Sequence, residues 1–145
     1  MSDVIRGSCL CEAVRFEVSD VTPMQYCHAR RCQKATGSAF APEMLAPAES
    51  LRWLSGAEQV REYEAPLLER PPAYRRAFCD TCGSPLPAAI GNGQFVALNA
   101  GVLDDDPGSR PFRHAFVDQK ACWHEIADDL PSYPGQPPVP EEYQG

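Results

Sequence analysis

The sequence predicts a mainly β, single-domain fold with one short helix. Several short stretches alternate apolar and polar residues with a period of two, the pattern of half-buried strands. Turn-forming residues separate these stretches at short intervals. Fifteen prolines in 145 residues, about twice the ~5% average, discourage long helices, because proline lacks an N–H and clashes with the preceding turn.

Taken in order, "EAVRFEVSD" (12–20) sets Val14, Phe16 and Val18 against Arg15 and Glu17, one apolar and one polar face. "LRWLSG" (51–56), "QVREYEA" (59–65), "AYRRAFC" (73–79), "QFVALNAG" (94–101) and "FRHAFVD" (112–118) read as further strands. Only "RRCQKATG" (30–37) reads as a helical turn or two, with Gly37 where glycine closes a helix. No repeat divides the chain. Residues 1–135 are expected to form the domain. The proline-rich end, 130–145, is expected to be extended or loose, with 136–145 as the tail proper.

Thirteen basic against twenty acidic residues give a net charge of −7. That balance disfavours nucleic acid as a partner. No run of eighteen apolar residues suggests a membrane span. The opening "MSDVIRGSCL" does not read as a signal peptide, so a cytoplasmic location is expected.

The seven cysteines carry the functional information. An odd number without an export signal argues against a disulfide scaffold. Cys9-x-Cys11 at the mouth of a strand, and Cys79-x-x-Cys82 followed by Gly83, together supply four thiolates. That is the donor set of a closed structural zinc. Iron in the same cage, or two pairs of reduced buried cysteines, are the alternatives. Cys27, His28, Cys32 and Cys122 remain.

The segments "GSCLCEAVRFEV", "YCHARRCQKATGSAF", "YRRAFCDTCGSPL", "ALNAGVLDD" and "HAFVDQKACWHEIADDLPSYPG" resemble, in order and spacing, the glutathione-dependent formaldehyde-activating family, which includes centromere protein V. The resemblance runs from about Gly7 to Gly135. It implies a small tent-like β fold with a structural zinc on Cys9, Cys11, Cys79 and Cys82. It also implies a second, catalytic zinc on the three cysteines of a Cys-His-Cys-x-x-Cys motif, and S-(hydroxymethyl)glutathione synthase activity.

Here the middle cysteine is replaced by Ala29. With only Cys27 and Cys32 left of three ligands, the second zinc is expected to be weak or absent. His28 is the nearest substitute ligand, although neighbours in a strand point to opposite faces. His114, His124 and Cys122 are more distant ones.

Cys27, Cys32 and His28 are therefore the candidate catalytic residues. Arg30, Arg31 and Lys34 are candidates for binding the two carboxylates of glutathione, or else ordinary charges on a solvated helix. Thr36 and Ser38 could donate hydrogen bonds to substrate, and Trp123 reads as packing. Two functions follow as expectations. One is a carbon–sulfur lyase-class protein acting on an adduct of formaldehyde, or another aldehyde, with glutathione or another thiol. The other is a non-catalytic, zinc-stabilised module binding a thiol ligand or a protein partner.

Overall fold

The computed structural model describes residues 3–66 and 74–138. Strands β1 (Ile5–Ser8) and β2 (Arg15–Val18) form an antiparallel pair. The alternation read from 12–20 holds, with the strand itself starting at Arg15 after Glu12 turns the chain with φ 64°. Val14, Phe16 and Val18 are buried, and Phe16 meets Trp53 edge-on with ring centroids 6.0 Å apart. A Cβ on Gly7 would lie 2.3 Å from the Phe16 ring, so only glycine lets β1 cross it. Trp53 lies on β5 (Arg52–Ser55), which completes this sheet beside β2.

The central sheet contains β3 (Met24–Cys27), β4 (Ala41–Pro47), β9 (Ala88–Ile90), β10 (Phe95–Asn99) and β11 (Pro111–Ala115), in the order β11-β3-β4-β10-β9. Met44, Ala46, Val96 and Leu98 of β4 and β10 point into the main core with Val14, Phe16 and Val18. The third sheet joins β6 (Val60–Glu64), β7 (Arg75–Cys79) and β8 (Pro85–Leu86). The fold is mainly β, with α1 (Arg30–Thr36) as the α-helix among the described residues. Gly37 ends it in the left-handed conformation, its N–H 2.8 Å from the carbonyl of Gln33.

One expectation needs correcting. The strand expected over 112–118 stops at Ala115, because Phe116 adopts φ 56° and residues 117–119 form a 3-10 turn. The proline-rich end, expected to be extended or loose, is extended at its start, where it runs beside β11. The N–H of His114 donates to Pro131, that of Tyr133 to His114, and that of Phe116 to Gly135. Pro137 is fully buried, and residues 139–145 lie outside the described residues. No described helix is long and apolar enough to cross a membrane.

Candidate metal centres and functional site

Cys9 and Cys11 leave β1 in a tight turn, closed by bonds from the N–H of Glu12 to the Cys9 carbonyl and from that of Cys9 to Val14. Their sulfurs converge through this turn, not through strand alternation, to 3.5 Å. Cys79 ends β7. The knuckle to Cys82 closes through the N–H of Gly83 onto the Cys79 carbonyl, with Gly83 at φ 77°, a conformation glycine adopts without strain.

Cys11 Sγ lies 3.9 Å from Cys79 Sγ, and the four sulfurs all fall within 4.8 Å of one another. Backbone N–H groups of Val14 and Thr81 point at the sulfurs of Cys9 and Cys79, at 3.3 and 3.4 Å. Hydrogen bonding to Ser84 draws the Cys82 thiol down to about 5. Cys11 is pushed up to about 12: a backbone bond from Ala13 pulls it down, but Cys9, desolvation, Cys82 and Cys79 together outweigh that. Four thiolates this close cannot all ionise without a cation between them. The cluster could hold a metal ion and suits zinc.

The second sulfur pair sits on the opposite face of the central sheet from the main core. Cys27 is the last residue of β3 and Cys32 lies in the first turn of α1. Their sulfurs are 3.1 Å apart and buried, among Ala29 and Ala41 with Tyr74 and Phe116 packed against them. The bond to Cys27, then desolvation, push the Cys32 thiol well up, while Arg31 opposes. Gln33 fixes α1 in place, its amide donating to the carbonyls of His28 and Gln119 at 2.8 and 2.9 Å.

Sequence reasoning missed Glu43. Its carboxylate belongs to the same group, with ligand atoms of Cys27, Cys32 and Glu43 within 4.8 Å of one another. Desolvation raises its pKa, opposed by its bond to Gln25 and by Arg31 and Arg113. The signal was present: Glu43 is the single charge in "AFAPEMLAPA".

His28 is drawn elsewhere. Its Nε2 lies 2.8 Å from His114 Nδ1, and His114 Nε2 lies 2.9 Å from an oxygen of Asp128. The His114 bond holds Asp128 below its ordinary carboxylate pKa. An ionised Asp128 can only accept, so His114 donates from Nε2 and, when neutral, accepts at Nδ1 from His28 Nε2–H. Among the described residues, His28 Nδ1 is then left as a buried lone pair without a partner. Desolvation, with His114 and His124 nearby, lowers the His28 pKa to about 4. His124 stands near this set, 5.9 Å from His28 between ring centroids, and Cys122 is exposed and outside both sulfur clusters.

The basic candidates separate. Arg31 lies over the rings of Tyr74 and Phe116, at 5.4 and 5.1 Å, beside the buried sulfurs. Arg30 and Lys34 share the exposed face four residues apart. Thr36 and Ser38 line a shallow groove with Phe40, Pro42 and Asn99.

The chain is 31% identical over 128 residues to a Halomonas elongata protein provisionally named a glutathione-dependent formaldehyde-activating enzyme, covering 85% of this chain and 81% of the relative. It superposes on the crystal structure of a Rhodobacter sphaeroides protein with TM-score 0.53 and 25% identity, over 73% of this chain and 97% of that one. The family profile matches residues 4–119, spanning both sulfur clusters, so the chain belongs to the glutathione-dependent formaldehyde-activating enzyme family.

Proposed function

We propose that the protein is a carbon–sulfur lyase-class enzyme that joins formaldehyde to the thiol of glutathione and reverses that addition. The observation that carries this reading is a second buried sulfur pair beside Arg31, separate from the four-cysteine cluster. A structural zinc on Cys9, Cys11, Cys79 and Cys82 would hold the two ends of the chain's middle together. A zinc held at Cys27 and Cys32 would keep the glutathione sulfur ionised at neutral pH and polarise the aldehyde oxygen.

In the forward reaction the glutathione sulfur attacks the formaldehyde carbon. A C–S bond forms, the C=O π pair moves to oxygen, and the thiol proton ends on that oxygen as the hydroxymethyl O–H. Arg31 would bind one glutathione carboxylate at the sulfur pair, with Arg30 and Lys34 drawing the second toward the exposed helix face. Holding two small reactants together supplies much of the acceleration. His28 is turned toward His114 rather than toward the sulfur pair, so solvent is the candidate proton carrier. A cytosolic location, where thiols stay reduced, suits seven free cysteines.

Ala29 in place of the middle cysteine favours the second reading, a non-catalytic module that binds a thiol ligand or a protein partner. Formaldehyde consumption with glutathione, followed against the uncatalysed addition, separates the two. Enzyme-dependent formation of S-(hydroxymethyl)glutathione is expected. Glutathione binding without turnover would establish the binding module instead.

A further inference from the structure

We propose that Glu43 is the third protein ligand at the Cys27–Cys32 site, making it a two-thiolate, one-carboxylate zinc centre with one position open to substrate. This assignment rests on the metal-assisted reading of the site.

The register of the central sheet places it. Cys27 pairs with Ala41 and Gln25 with Glu43 across β3 and β4. Residues two apart in a strand share a face, so Cys27, Gln25, Ala41 and Glu43 all face one way. Glu43 is the diagonal neighbour of Cys27, at a spacing that a long side chain spans. The residue directly opposite Cys27 is Ala41, 2% exposed, and Ala29 is fully buried. Both present only a methyl group at the sulfurs. A donor missing from the helix side is thus met by one reaching in from the strand side.

The carboxylate is oriented as a metal ligand is. Arg113 Nε donates to Gln25 Oε1 at 2.8 Å. That bond fixes the amide so that Gln25 Nε2 donates to Glu43 Oε1, leaving Oε2 available. Outer partners of this kind set ligand direction and are worth about 10–100-fold in metal affinity. Among the described residues, no ion pair within 4 Å neutralises Glu43.

Charge is conserved as well. Two thiolates and a carboxylate carry the same total charge as three thiolates, so the ion keeps its formal balance. A harder oxygen donor gives up less electron density than sulfur and leaves the zinc a stronger Lewis acid.

Zinc content of the purified protein by elemental analysis, with cobalt(II) substitution to record thiolate-to-metal absorption, tests the assignment. Wild type should hold about two ions per chain, Glu43→Gln about one with its melting temperature kept, and Ala29→Cys/Glu43→Gln about two again. One ion in wild type, or two in Glu43→Gln, overturns it. Glu43→Asp keeps the charge but shortens the reach, and chelator competition reads it even if the glutamine variant fails to fold. A fall of about ten-fold or more in affinity for the second ion supports the ligand role, and unchanged affinity refutes it. Two ions without turnover would remove the enzymatic reading and leave the ligand. Turnover with one ion would do the reverse.

Discussion

Stripping zinc from the four-cysteine cluster should unfold the protein, and Cys82→Ser should go far toward the same end. The ligands Cys11 and Cys79 are 68 residues apart in sequence. Bringing two such points together costs about 4 kcal/mol in loop closure, from (3/2)RT ln n. Structural zinc returns about 10–16 kcal/mol at neutral pH, leaving about 6–12 kcal/mol as net support. A whole domain is stable by only about 5–15 kcal/mol, so an ion held there would account for much of what holds the fold. Cys9 and Cys79 are buried in the main core, whereas Cys11 is exposed and Cys82 half-buried, so a chelator has a route in. At about 3 °C per kcal/mol for a chain of this size, loss of even the lower figure drops the melting temperature by about 18 °C. Circular dichroism melts with and without chelator, paired with zinc analysis, read this directly. A protein that has lost this zinc and still melts like wild type would refute the reasoning.

Arg31→Ala should weaken glutathione binding by about ten-fold and flatten its dependence on salt, since one desolvated charge-assisted bond is worth about 1.5–3 kcal/mol; titration calorimetry at two ionic strengths checks this. Gly37→Ala should cost only the left-handed penalty of about 1–2 kcal/mol, because a Cβ there meets nothing within 4 Å. Gly56→Ala should cost clearly more, as its Cβ would lie 2.2 Å from the Ala13 carbonyl oxygen; urea melts of the two variants give the contrast. Asp128→Asn removes the charged partner of His114 and should lower the melting temperature modestly, with an altered pattern of imidazole proton signals in NMR.

Much of the fold was legible because β2, β5, β6, β7 and β10 contain short alternating stretches that answer to a period of two. β3 and β4 were not, although they carry the second site. Pro42 and Pro47 argue against a strand at 41–47, since proline cannot donate to a ladder. The structure resolves the conflict locally: β10 ends opposite Glu43, with Asn99 as its last residue, so Pro42 is paired on one side only. Glu43 was hidden with its strand. The four outer cysteines were readable from spacing alone, because a knuckle is a local device. The carboxylate beside Cys27 depends on which strand lies next to β3, and the link from His28 through His114 to Asp128 depends on β11 lying on its other side. Neither adjacency is written in local periodicity.

The wide separation of Cys11 and Cys79 also sets a timetable for synthesis. A ribosome adding about 5–20 residues per second needs roughly 3–14 s to travel the 68 residues between them. During that interval Cys9 and Cys11 stand exposed while their eventual partners, Cys79 and Cys82, are still unmade. β11, which lies parallel beside β3, emerges later still. The nascent chain therefore displays naked thiols for seconds before it can shelter them, and surroundings that keep thiols reduced favour its folding.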